Sequence, residues 1–213
     1  MTKLKVAVIG ATGGTGKTVV ENAIAAGYEV IAVARRPDAV KIHSERLDIR
    51  RGDAHEFGSI CQAMSGADAV ISAIGSGRAK EPTQFYSKAI RNIISAMRET
   101  NARRLICIGA SGYIDAPGHP LWMRLMMENV VRKLLHHSYE DMIRMEEIIK
   151  DSDLDWTIIR PPRLTNGRRT EFYRVQEEVV IGGAKISRAD VADYIVKNLN
   201  DSRTFSAAFG VAY

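Results

Sequence analysis

The sequence predicts a single α/β domain, a doubly wound parallel sheet finished by a small C-terminal cap. Three observations predict it. Short runs that are apolar throughout alternate with segments of helical period, the pattern of β-α-β units whose sheet is covered on both faces. The first run leads straight into a glycine-rich turn and a helix, in KVAVIGATGGTGKTVV. A length of 213 residues suits one domain rather than two.

The strands are expected at residues 4–9 (LKVAVI), 30–34, 69–73, 105–108 and 156–159, with a weaker one at 47–51. Between them, Val20, Ala23 and Ile24 repeat at helical spacing, and Gly27 is placed to stop that helix. Pro82 and Thr83 open a second helical segment, whose stripe is Ala89, Ile90, Ile93, Ile94 and Met97. Ser187 with Asp190 reads as a capping box before Val191, Tyr194, Ile195 and Leu199. The helix at 121–135 (LWMRLMMENVVRKLL) is apolar nearly all round, so it is expected to bury a second face.

The glycine turn carries the strongest chemistry. Gly10, Gly13 and Gly16 follow a strand and open a helix, with Thr12, Gly14 and Thr15 between them. Gly10 suits the tight turn, Gly13 the approach of a pyrophosphate, and Gly16 the packing of helix on strand. The helix N-terminus offers free N–H groups to the phosphates. An ATP-type loop would need glycine at position 11, where this chain has Ala11. At the end of the second strand, a cofactor ending in a free ribose would call for an acid. Here stand Arg35 and Arg36, whose guanidinium groups suit a 2′-phosphate. The expected cofactor is NADP(H).

Ligands of such sheets lie beyond the carboxyl ends of the strands. Those ends present Asp53 and Ala54, Ile74 and Gly75, Ser111 and Tyr113, and Pro161, Pro162 and Arg163. Asp53 is placed to accept from an adenine amino group, with Pro162 and Arg163 beside the cofactor. Ser111 and Tyr113 are the catalytic candidates beside the nicotinamide. No tyrosine has lysine four residues on; Tyr139 has Ile143. Without a positioned acid, reduction of a simple ketone is slow, losing about 10²–10⁴-fold. A conjugated acceptor spreads the added charge and can take its proton from solvent.

Composition excludes other classes. Hydrophobic residues make up 46% and charged residues 26%, ordinary globular usage. No apolar run reaches the length of a membrane span, and the opening segment has no signal-peptide core, so the expected location is the cytoplasm. The net charge of +5 is spread as short arginine pairs, so no nucleic-acid partner is expected. Cys61 and Cys107 lie in apolar contexts, as buried thiols rather than a disulfide or zinc site. His119 and the adjacent His136 and His137 have no evident carboxylate partner, so no metal is expected.

On these residues the chain resembles the atypical short-chain dehydrogenase/reductase group. Within it the chain is most similar to the biliverdin reductase B and flavin reductase family, with NmrA-like proteins as relatives. The resemblance is carried by VIGATGGTGKTVVENAIAAGYEVIAVARR, GDAHE, ADAVISAIG, IRNIISAMRETN, Ser111 and IRMEEIIKDSDLDWTIIRPPRLTNG. It implies a Rossmann fold and hydride transfer from NADPH to a flavin that is substrate rather than resident cofactor. It also implies pyrophosphate on Gly10, Thr12, Gly13 and Thr15, and the 2′-phosphate on Arg35. Adenine would lie by Asp53 and Ala54, and nicotinamide by Ile74, Gly75 and Ser111. Segments 112–137 and 161–185 are expected as substrate-side insertions around a small planar acceptor, in a monomer or homodimer. Two other readings stay open. One is a redox sensor that binds NADP(H) without turnover. The other is a ketoreductase, quinone reductase or epimerase.

Overall fold

A computed structural model describes residues 4–76 and 79–213. Its strands are β1 (Lys5–Ile9), β2 (Glu29–Ala34), β3 (Leu47–Arg51), β4 (Ala69–Ser72), β5 (Arg104–Ile108), β6 (Asp155–Arg160), β7 (Arg163–Thr165), β8 (Arg174–Glu177), β9 (Lys185–Ser187) and β10 (Ala207–Ala212). Eight of them form one sheet, in the order β3-β2-β1-β4-β5-β6-β10-β8. All pairings are parallel except that of β10 with β8. Strands β7 and β9 pair separately as a parallel ribbon.

The helices are α1 (Gly14–Ala25), α2 (Phe57–Met64), α3 (Phe85–Glu99), α4 (Leu121–Met126), α5 (Arg132–Lys150) and α6 (Arg188–Lys197). They cover both faces of the sheet. Along β1, Val6 and Val8 pack into one core with α1 and α6, while Ala7 and Ile9 pack into the other with α2, α3 and α5. Alternate residues of a strand face opposite ways, so a strand between two cores must be apolar throughout. All six expected strands are present. The sequence reading did not assign β7 to β10. Strand β8 is mostly polar and wholly exposed, and β10 carries Gly210 in its middle, where a Cβ would lie 2.6 Å from the Val180 nitrogen.

Helix α1 ends where expected. Gly27 takes φ +89°, and the Tyr28 and Gly27 amides donate to the Ala23 and Ile24 carbonyls at 3.0 and 2.9 Å, a Schellman closure. Helix α3 begins at Phe85, three residues later than Pro82. Its N-terminus is capped from a distance: the buried Asp141 carboxylate of α5 accepts from the Tyr86 and Ser87 amides at 2.7 and 3.3 Å. Only half of the expected capping box forms. The Ser187 hydroxyl accepts from the Asp190 amide at 2.9 Å, but the Asp190 carboxylate turns to the Thr170 and Glu171 amides and the Tyr213 hydroxyl.

The helix at 121–135 differs most from expectation. A π-helical turn, Met127–Val131, joins α4 to α5. Leu121, Trp122 and Val130 remain 67%, 62% and 57% exposed, so the second face is not buried within this chain. Cys107 is fully buried and Cys61 half-buried, both unpaired. Burial pushes the Cys107 thiol up to about 12, which leaves it inert as a nucleophile.

Candidate functional site

The strand order reverses between β1 and β4, and the crevice at such a switch point is where open α/β sheets bind ligands. The loop after β1 fills its floor. Gly10 has φ +85°, and a Cβ there would lie 2.6 Å from the Ala73 carbonyl oxygen. A Cβ on Gly16 would lie 2.2 Å from the Gly10 carbonyl oxygen, so Gly16 packs the helix on the loop rather than on the strand. Gly13 is the N-cap of α1, and no side chain caps that helix. The first amides of α1 therefore stand without intrahelical partners, ready for an anion.

Beyond the loop lies a small cavity of about 150 Å³, lined by Gly10, Thr12 and Gly13 together with Arg35, Asp53, Ala54, Ile74 and Gly75. Eight expected site residues from four strand ends thus converge. Arg36 is exposed and lies outside this lining. The sequence reading did not single out His55 and Phe85, which also line it. The Asp53 carboxylate accepts from the His55 amide at 2.9 Å and lies 3.2 Å from its Nδ1. The His55 Nε2 lies 3.0 Å from the Phe85 carbonyl oxygen. The His55 amide holds the Asp53 carboxyl below the usual carboxylate range, and the Arg35 charge adds to this. The Asp-x-His spacing, an aspartate bonding the amide two residues on, is the signal that could have found the pair.

A second, larger cavity of about 830 Å³ opens beside residues 109–112. Ser111, Pro162 and Arg163 line it, with parts of the 112–137 and 161–185 segments. The Ser111 amide donates to the Pro161 carbonyl at 3.0 Å. Its hydroxyl makes no hydrogen bond among the described residues. Arg188, also unforeseen, lines this cavity and crosses the glycine loop, so that a Cβ on Gly14 would lie 2.9 Å from its Nε. The Asn166 side-chain Oδ1 accepts from its guanidinium at 2.7 Å. A guanidinium thus lies over the N-terminus of α1. Gly14, Thr15 and Gly16 line neither cavity; they form the first turn of α1.

The expectation for Tyr113 is corrected. Its hydroxyl is not on the lining. It donates to the buried Glu146 carboxylate and accepts from the Ala110 amide at 3.3 Å. Burial and the Glu146 charge raise its pKa far above the ordinary tyrosine value. Tyr113 buttresses the loop from below. Tyr86 and Tyr139 are on the lining instead, and the Tyr139 hydroxyl packs so closely on Gly112 that a Cβ there would lie 2.2 Å away. Burial raises its pKa, and the Arg132 charge opposes that rise.

The histidine pair also differs from expectation. Glu140 supplies the carboxylate that the sequence reading did not find, 3.4 Å from His136 Nε2 and 3.8 Å from His137 Nδ1. None of the three groups lines either cavity.

A family model described as NAD(P)H-binding matches residues 10–202. The uncharacterized protein YwnB of Bacillus subtilis is 24% identical over 201 residues, covering 93% of this chain and 92% of its own. The reductase pytE of Aspergillus terreus is 26% identical over 244 residues, covering 92% of each. Among solved structures, a Bacteroides thetaiotaomicron protein provisionally described as an epimerase superposes with a TM-score of 0.80 at 27% identity, over 100% of this chain and 98% of the other. A wide-type short-chain dehydrogenase/reductase from Veillonella parvula, solved in complex with NADP, gives a TM-score of 0.79 at 18% identity, over 100% and 95% of the two chains. At that identity the likeness speaks for the fold alone.

Proposed function

The chain belongs to the NAD(P)H-binding family, and from that premise we propose that it is an NADPH-dependent oxidoreductase that reduces a flavin or a similar planar conjugated acceptor. The glycine loop fits the cofactor, because the conformation of Gly10 and the space at Gly16 leave no room for side chains where a dinucleotide must come close. In this reading Asp53, Ala54 and Arg35 hold the adenosine end. The α1 N-terminus and Arg188 hold the pyrophosphate, and Ile74, Gly75 and Ser111 border the nicotinamide.

When bound, NADPH supplies a hydride. The chain supplies position. Ser111 and the neighbouring proline-rich turn, residues 161–163, form one wall of the large cavity, and Tyr139 with the helical segment 122–135 forms another. Two preformed walls hold an acceptor in one orientation, and orientation is the main catalytic term where no acid is required. The observation that carries this reading is the mostly apolar cavity of about 830 Å³ that opens beside Ser111, of a size that suits a planar ring system. The test is NADPH oxidation by the pure protein with and without FMN. Flavin-dependent consumption above the uncatalysed rate supports the proposal. NADPH binding without consumption by any flavin overturns it and favours the sensor reading.

One observation favours a second reading. The Tyr139 hydroxyl lines the same cavity as Ser111 and has no hydrogen-bond partner among the described residues. It is placed to donate a proton to a carbonyl oxygen, with the Arg132 charge as the nearby cation. Ketone reduction that is lost in Tyr139→Phe, with flavin reduction retained, supports this reading.

A further inference from the structure

We propose that the acceptor carries an anionic arm, and that Arg163 and Lys185, with Arg124 opposite, bind it. The inference rests on the reductase reading for the acceptor's planar ring, but not for its charge. In the parallel ribbon of β7 and β9, Arg163 and Lys185 are register partners. Like charges directly opposite each other destabilise a sheet. Neither side chain makes an ion pair or a hydrogen bond to relieve this among the described residues, yet both line the large cavity.

A second observation points the same way. Arg124 lines the cavity from α4, and its Nε is buried with no hydrogen-bond partner. A buried donor without a partner is costly. The carboxylates on the lining, Asp115 and Glu128, are both exposed and form no ion pair among the described residues. Arg188 is occupied over the glycine loop, and Arg132 donates to the Gly112 and Ile114 carbonyls at 3.2 and 2.9 Å. Arg163 and Lys185 are exposed and Arg124 is half-buried; the three are cations without a protein partner among the described residues at the rim of a mostly apolar cavity, and together they concentrate positive potential there. A planar acceptor with a phosphate or carboxylate arm fits this arrangement, and an uncharged one leaves the three cations unpaired.

The test reads binding, apart from turnover. The wild-type protein is saturated with NADP⁺, which blocks the cofactor's own anion sites. It is then titrated with 8-anilinonaphthalene-1-sulfonate and with its uncharged parent, N-phenyl-1-naphthylamine. The sulfonate is expected to bind about 10–100-fold more tightly, the scale of one or two charge-assisted contacts. In the double variant Arg163→Gln, Lys185→Gln this preference should disappear, with the thermal melt showing a folded protein. Equal affinity for the two dyes in the wild type, or an undiminished preference in the variant, overturns the inference. Oxidation of NADPH with FMN and with riboflavin tests the reductase reading separately. If neither flavin is consumed, that reading fails while the dye preference still decides the anionic site.

Discussion

Glu146 and Arg160 form a buried two-pronged ion pair beneath the loop that carries Ser111. The Arg160 Nε donates to one carboxylate oxygen at 2.9 Å and a second guanidinium nitrogen donates to the other. The Tyr113 hydroxyl donates to the same carboxylate, and the exposed Glu178 pairs with the remaining guanidinium nitrogen. Burial opposes the charge on Arg160, but the bonds to Glu146 outweigh it and raise its pKa. The pair ties α5 to β6 directly under the wall of the large cavity.

Removing one partner weakens the hold on the other. Glu146→Ala should cost about 3 kcal/mol, the low end for a broken buried pair, because the buried guanidinium then keeps only its ion pair to the exposed Glu178. Replacing both with apolar residues, as in Glu146→Leu with Arg160→Met, should recover much of that loss. Urea denaturation checks it. A single variant as stable as wild type would show that the pair contributes nothing.

Tyr113→Phe should behave as a packing variant. It deletes one donor to Glu146, a loss of about 1–3 kcal/mol, or a Tm drop of roughly 2–4 °C per kcal/mol for a chain of this size. NADPH-dependent reduction should persist. Loss of turnover at unchanged Tm would restore Tyr113 to the chemistry.

The two arginines after β2 should separate. Arg35 borders the small cavity and Arg36 does not. Arg35→Ala should weaken NADPH about 10–100-fold and NADH little, the scale of a lost charge-assisted contact. Arg36→Ala should change the ratio far less. Fluorescence titration with both nucleotides checks this, and equal weakening of the two by Arg35→Ala would remove the 2′-phosphate assignment.

Gly13→Val should abolish dinucleotide binding. Even a single Cβ there would lie 3.2 Å from the Gly10 carbonyl oxygen, and the extra methyl groups of valine would occupy the approach to the α1 amides. A folded Gly13→Val protein with wild-type affinity for NADPH would place the pyrophosphate elsewhere.

Acid stability should depend on Asp190. Burial opposes its ionisation, but the Tyr213 hydroxyl and the Glu171 and Thr170 amides hold its carboxyl down at about 2. An unfolded aspartate titrates near 3.9. The folded value is the lower one, so this stabilisation is present above about pH 4 and is lost as the pH falls toward 2. Asp190→Asn should be less stable at neutral pH, and its melting temperature should change less than that of wild type between pH 4 and 2.

The sequence by itself determined what neighbours along the chain decide. Strands β1 to β6, the turn at Gly10 and the Gly27 stop follow from period, glycine placement and apolar runs, because each is settled within a pleat or a helical turn. The convergence of Gly10, Arg35, Asp53 and Ile74 was legible for the same reason: a parallel sheet brings its strand ends together. Only the tertiary structure decided where side chains aim once the chain leaves a regular element. Tyr113 turned inward because Glu146, 33 residues on, claims its hydroxyl, and Tyr139 took its place on the cavity wall. Arg188 reached the glycine loop from α6, and Arg163 met Lys185 across a ribbon of three-residue strands. No local period encodes such meetings. They depend on which buried charge or donor the fold leaves in need of a partner.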